Sequence, residues 1–239
     1  EFADGVNKFY PMARRLDSNS VAEYNFGQRS FAYTPPTGFS ALSQDNFPDE
    51  GVKPDLVWIK NRDAADSHQV YDSTRGPQLD INPDGYAAES TTTDGLQKFI
   101  KGGCAIEDDD AINTAAESYA SWNWVANGGT TSANTDGSGA SIASTIQANQ
   151  TAGFSIVQWT ESGSAGTIAH GLGAVPAMIW SKCTSNASTS WYCYTDAVQL
   201  KGGGGYDTTP WNRYFRFNSD DSHADSGTPW NDTAPTSNV

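Results

Sequence analysis

Pro54-Asp55-Leu56-Val57-Trp58-Ile59-Lys60 is a proline, a compact apolar run around one tryptophan, and a closing lysine. Its length and composition suit a buried strand. The pattern returns as Pro176-Ala177-Met178-Ile179-Trp180-Ser181-Lys182. Further matches keep the same order. Gly38-Phe39-Ser40-Ala41-Leu42 precedes the first run, and Gly153-Phe154-Ser155-Ile156-Val157 precedes the second. Tyr71-Asp72 follows the first, and Tyr194-Thr195-Asp196 follows the second at nearly the same distance. Residues 79–84 (Leu-Asp-Ile-Asn-Pro-Asp) are then answered by 215–220 (Phe-Arg-Phe-Asn-Ser-Asp). The series predicts two copies of one β unit, each burying its tryptophan strand. Copy one runs from about Gly38 to Val125. Copy two starts near Gly153, and Val239 corresponds to about Leu96. No counterpart of 119–125 is reached, so the expectation is a fragment, or a last strand supplied from elsewhere.

Working outward, residues 69–71 suit the hairpin partner of 55–60, across the polar turn 61–68. A further strand at 79–81 ends in Asn82-Pro83-Asp84-Gly85, a strong turn signal. Residues 119–125 alternate, with Ala120, Trp122 and Trp124 on one face. Residues 112–121 could begin as a short helix. The Gly-, Ser- and Thr-rich stretch 128–139 is the best linker in the chain. Strands resume at 142–146, 154–160, 177–182, 190–195 and 214–217, with a flexible loop at 202–205. Upstream, 22–26 and 30–33 are strand-like, and Pro35-Pro36 ends them because proline donates nothing to a ladder. The predicted fold is all-β, with β-sandwich modules in tandem: 1–42 as the end of one sandwich, 38–127 as the first repeat, 128–150 as linker and 151–239 as the second repeat.

Composition narrows the partners. Lys and Arg number 14 against 28 Asp and Glu, a formal charge of −14. Such a surface repels phosphate backbones and anionic lipid, which argues against nucleic acid and membrane docking. Charged residues make up 18% of the chain, below the usual ~25%. Small polar residues supply the polarity instead, as in strands joined by short turns. Eight tryptophans give enough apolar area for a packed core. No apolar run approaches the ~18 residues of a membrane helix. The cysteines Cys104, Cys183 and Cys193 are odd in number and form no disulfide framework. Cys183 and Cys193 could face each other across a hairpin, though two unpaired thiols is the favoured reading.

Few residues suggest chemistry. His68, His170 and His223 lack zinc-site spacing. His170 lies in a Gly-rich stretch with no acid or nucleophile implied nearby, so its expected role is to fix a turn. Asp80-x-Asn82-x-Asp84-Gly85 matches the first half of a calcium loop, but Thr91 stands where the bidentate Glu belongs and Glu89 falls two residues early. An Asx-type turn is expected there. Glu107-Asp108-Asp109-Asp110 suits a solvated loop. No nucleophile elbow, P-loop or dinucleotide fingerprint is present. The expectation is no catalytic residues, no metal and no cofactor. Trp191, Tyr206, Trp211 and Tyr214 surround polar, Gly-rich loops, and could form a sugar-stacking platform or pack in a core or subunit interface. Trp58 and Trp180, inside apolar runs, belong to the core.

Two resemblances rest on these stretches. Phe9-Tyr10-Pro11-Met12 with Tyr24-Asn25-Phe26-Gly27-Gln28-Arg29-Ser30-Phe31 resembles the closing strands of a SPRY domain, over about the first 40 residues. Residues 32–39, 54–60, 119–124, 134–138, 148–157, His170-Gly171-Leu172-Gly173 and 230–239 together resemble a tandem module of tail-fibre and other virion proteins of marine phages. The resemblance implies a non-catalytic structural protein at the virion surface. Its implied partners are other virion proteins, further copies of itself in a trimer or lattice, and a host surface glycan. An extracellular polysaccharide-degrading enzyme using a carboxylate pair, or a secreted bacterial adhesin, are the competing expectations.

Overall fold

The Trp58 run forms the strand β1, Leu56–Asn61, whose residues alternate between two packed faces. A computed structural model describes residues 51–133, 139–198, 207–221, 224–226 and 229–239. They fall in one unit, Asp49–Val239. β1 pairs antiparallel with β2 (Gln69–Asp72) on one side, as the hairpin reading predicts. On the other side it pairs with Tyr119–Trp124, the strand β7. With β3 (Gly76–Ile81) and β4 (Ser90–Thr91) the sheet order is β4-β3-β2-β1-β7. Side chains shape its turns. Asn61 Oδ1 accepts the N–H groups of Asp63 and Ala64 at 3.0 and 3.2 Å, which starts the β1–β2 loop as an Asx turn. Asp72 Oδ1 does the same for Thr74 and Arg75.

The second tryptophan run repeats this sheet. β11 (Met178–Ser181), β12 (Tyr192–Thr195), β13 (Arg213–Arg216) and β14 (Ala224–Asp225) lie side by side in chain order, as β1 to β4 do. Equivalent residues pair. Val57 lies opposite Tyr71 and Ile179 opposite Tyr194; Trp58 lies opposite Val70 and Trp180 opposite Cys193. The carbonyl of Asp55 accepts the Ser73 N–H at 2.8 Å, and that of Ala177 accepts the Asp196 N–H at 3.0 Å. Lys60 Nζ donates to the carbonyls of Asn61 and Ala64. Lys182 Nζ donates to those of Cys183 and Asn186, one and four residues on as before. The third strand is offset. Sequence alignment sets Phe215 against Leu79, whereas pairing sets it against Ile81. The shift is two residues, which preserves the faces, and it falls where β2–β3 pairing is itself irregular.

The two sheets pack face to face through the repeated tryptophans. The Trp58 and Trp180 rings meet edge to face at 6.0 Å, Trp124 meets Trp180 at 6.1 Å, and Phe217 lies within 6.2 Å of Trp58 and 5.2 Å of Trp180. Val70, Ile81 and Trp191 are buried between them. This is sandwich packing with a duplicated residue at its centre. The opposite face of the first sheet carries Val57, Ile59 and Tyr71. It is covered by the hairpin of β5 (Leu96–Ile100) and β6 (Gly103–Ile106) and by α1 (Asp110–Asn113), which bring Leu96, Phe99, Cys104 and Ile112. The sequence reading missed that hairpin, because its apolar residues are sparse and broken by Lys98 and by Lys101-Gly102-Gly103. α1 starts slightly earlier than expected, capped by Asp109, whose carboxylate accepts the Ala111 N–H at 2.9 Å.

Within the expected linker 128–150, the described residues include two strands. Ser132–Ala133 (β8) and Ser144–Asn149 (β9) pair antiparallel, and β9 continues into a hairpin with Phe154–Trp159 (β10). Ser144, Ile146 and Gln147 are buried there, and Gln147 Nε2 donates to the hydroxyls of Ser73 and Thr74, so this sheet is tied to the β2–β3 turn. Small polar residues here form β8 and the central strand β9. β10 thereby belongs to this sheet and not to that of Trp180. The SPRY-like stretch 1–42, Tyr206, His223 and the loop 202–205 lie outside the described residues. Among the described residues no helix is long and apolar enough to cross a membrane.

Candidate functional site

Of the four platform candidates, Tyr206 lies outside the described residues, and Trp191 and Tyr214 lie on opposite faces of the second sheet. Trp191 is only 9% exposed and sits between the sheets, its indole N–H donating to the Asn82 carbonyl at 2.9 Å. It is a core residue, because the loop before β12 folds inward over Val70 and Ile81. Trp211, in the 3-10 turn Pro210–Asn212, is half-buried, and so is Tyr214, which lies in β13 on the face of the second sheet away from the core. Pairing fixes that face. Phe215 lies opposite Cys193 on the core side, so Tyr214 and Arg216 point outward together with Tyr192.

This outer face combines aromatics with paired charge. Tyr192 and Tyr214 meet edge to face at 5.2 Å. The Arg216 guanidinium lies 5.4 Å from the Tyr214 ring centroid and donates to its hydroxyl at 3.2 Å. Arg213, which the same alternation puts on the Phe215 side, bonds Asp207 at 2.9 Å and Asp225 at 2.8 Å, joining the chain before β13 to β14. The Thr209 N–H and then Arg213 hold the Asp207 carboxyl below its usual range. Trp230 donates its indole N–H to the Arg213 carbonyl at 3.0 Å and covers Tyr194. Sequence reasoning named Tyr214 and missed Tyr192 and Arg216. The alternation of Arg213-Tyr214-Phe215-Arg216 was the available signal, since one aromatic must face inward and the other outward.

Other candidates hold structural partners. Asp80 accepts from the Ser90 hydroxyl, Asn82 donates to the His68 carbonyl at 2.8 Å, and Asp84 accepts the His68 N–H at 3.2 Å. Asn82 and Asp84 thus both hold the His68 backbone while Asp80 turns to Ser90, and the Gly85 N–H closes a turn on the Asn82 carbonyl. His170 Nδ1 accepts the Leu172 N–H at 3.2 Å, so Nε2 carries the proton that reaches the Thr236 carbonyl at 3.1 Å. His68 Nδ1 likewise accepts the Trp58 indole N–H at 2.8 Å. Among the described residues no three His, Cys, Asp or Glu converge as metal ligands. Cys104, Cys183 and Cys193 are all free thiols, so the hairpin bond does not form.

One carboxylate escaped the sequence reading. Asp55 is fully buried. Its Oδ2 accepts the N–H groups of Ala126, Asn127 and Gly128 at 2.8, 2.9 and 2.8 Å, and its Oδ1 accepts the Ser73 hydroxyl at 3.0 Å. Asp55 therefore clamps the chain as it leaves β7. The equivalent residue in the second sheet is Ala177, where β11 is the edge strand and, among the described residues, no such neighbour is paired.

Fold and site thus define an all-β protein built from a duplicated antiparallel sheet, closed on itself by tryptophan packing. The chain belongs to the family described as a domain of unknown function (DUF7483), which matches residues 36–239. No curated protein and no solved structure matches it.

Proposed function

We propose that this chain is a non-catalytic structural protein of a bacteriophage particle, exposed at the virion surface as part of a fibre or a decoration. The observation that carries the reading is how the polar groups are used. Lys60, Arg75 and Lys182 hold backbone carbonyls close by in the chain, and Asp55 and His170 hold backbone groups of distant segments. Such groups build a rigid scaffold, as a particle component needs. The acidic surface and the stretches resembling marine-phage virion proteins support the same reading.

Contact with a host glycan is proposed at the outer face of the second sheet, through Trp211 and Tyr214. The Tyr214 ring there stands beside the Arg216 guanidinium group, which suits sugars carrying acidic groups. The test is immuno-electron microscopy of the particles that encode the chain, together with a pull-down on purified host surface polysaccharide. Labelled particles, and retention that falls at least ten-fold in Trp211→Ala/Tyr214→Ala, are expected. Absence of the chain from purified particles would overturn the virion reading. Release of reducing ends from that polysaccharide would overturn the non-catalytic one and favour an extracellular degrading enzyme.

A further inference from the structure

The strongest unassigned feature is the free edge of β11. In an antiparallel ladder, alternate residues direct N–H and C=O to the same side. The Ala177 carbonyl takes the Asp196 N–H, so residues 177, 179 and 181 face β12. Met178 and Trp180 therefore turn their backbone groups outward, and no described residue pairs with them. The first sheet shows what this row can do. There the equivalent Leu56 and Trp58 pair with Trp124 and Trp122 of β7, and the ladder extends from Leu56 to Asn61.

The usual guards of an edge strand are missing from β11. It carries no charge, bulge or proline between Ala177 and Ser181. Lys182 follows it, but its ammonium is folded onto Cys183, Asn186 and Thr189. The edge strand β14 at the far side of the same sheet is different: two residues long and bearing Asp225. Met178 is 53% exposed and the preceding Val175 60%.

We propose that β11 is a self-association edge, at which β11 of one copy pairs antiparallel with β11 of a second copy across a two-fold axis. Charge selects this occupant. Two chains of formal charge −14 repel each other across most of their surface, and this uncharged edge brings no carboxylates face to face. Centring the axis on Ile179 gives a self-complementary register. Met178 then lies opposite the second copy's Trp180, both outward rows are paired, and Lys182 lies opposite Pro176, so no like charges meet. The exposed thioether gains an aromatic neighbour. The two four-stranded sheets become one continuous sheet of two-fold symmetry. The inference rests on the sheet alone and does not depend on the virion reading.

The test uses the full 239-residue chain in light scattering after size exclusion, from micromolar to near-millimolar concentration. Wild type is expected to pass from monomer to dimer. Met178→Pro removes an outward N–H that has no partner among the described residues, so it should remain monomeric with an unchanged near-ultraviolet spectrum. Met178→Lys serves as a second variant should the proline disturb the strand, and should weaken dimerisation at least ten-fold, an effect that salt reduces. Hydrogen exchange gives an independent readout: the Met178 and Trp180 amides of wild type should slow as concentration rises. A wild type that stays monomeric overturns the proposal. So does a dimer that survives both variants, or one lost instead on Ser121→Pro, which would place the contact on β7.

Discussion

Replacing Asp55 by alanine should loosen the β7 end of the first sheet more than any other single polar change. The carboxylate holds three N–H groups and one hydroxyl, all between 2.8 and 3.0 Å. A hydrogen bond to a charged group contributes about 1.5–3 kcal/mol, and an orphaned buried donor costs about 1–3 kcal/mol. Ala126 is fully buried and takes the full penalty, about 2 kcal/mol. Asn127 and Gly128 are exposed, so water replaces the carboxylate there and each loses about 0.5–1 kcal/mol. With the Ser73 bond and the small cavity, the sum is about 4 kcal/mol, a large share of the roughly 5–15 kcal/mol that holds a domain together. Asp55→Asn keeps the shape and one acceptor oxygen for the three N–H groups, losing the charge and the acceptor of the Ser73 hydroxyl, so about 1–2 kcal/mol is expected. Urea unfolding followed by tryptophan fluorescence measures both, and hydrogen exchange at residues 126–128 locates the damage. An Asp55→Ala loss under 1 kcal/mol, or an asparagine variant as damaged as the alanine one, would refute the reasoning.

Burial holds the His68 imidazole below its usual value of 6.5, with Asp84 pulling weakly the other way. The unfolded chain therefore binds the extra proton first, so stability from this site is complete above about pH 6.5 and is lost as pH falls through the folded value. Thermal unfolding from pH 7.5 to 5.0 should show a drop in Tm that is shallower in His68→Asn, which can still accept the Trp58 N–H. Arg75 bonds Asp72, Glu89 at 2.8 Å and the Val70 carbonyl, with its side chain 7% exposed. Arg75→Ala should cost about 3–5 kcal/mol in urea unfolding, because it leaves Asp72 buried without its cation. Burial raises the Cys104 thiol and pushes Cys193 up to about 11, whereas Cys183 is exposed. Titration with a chromogenic disulfide should therefore find one fast thiol in the native chain and three after unfolding.

Much of the architecture was legible because the repeat carried it. Leu-Val-Trp-Ile and Met-Ile-Trp-Ser each announce a buried strand, and the tyrosines thirteen to fourteen residues on fixed the pairing partner. What failed did so for local reasons. Residues 144–149 straddle the expected strand 142–146 and the expected linker, and the strand runs on to Asn149 because Gln147 finds two hydroxyls when buried. Trp191 stays open in the sequence between platform and core because its neighbours are polar, and only the facing sheet supplies Val70 and Ile81 to cover it. The substitution of Asp55 by Ala177 was visible in the alignment of the copies. Its meaning was not, since a neighbouring strand is a tertiary fact.

The edge-to-face cluster of Trp58, Trp122, Trp124 and Trp180 has a spectroscopic consequence. Indoles about 6 Å apart and steeply inclined share their electronic excitation, which splits the circular dichroism into a couplet of opposite signs. Trp58 and Trp122 are cross-strand neighbours within one sheet, whereas Trp58 and Trp180 belong to different sheets. Removing Trp122 would leave a couplet that reports only on the seam between the duplicated halves. The molecule thereby contains an optical gauge of whether its halves part before its strands melt.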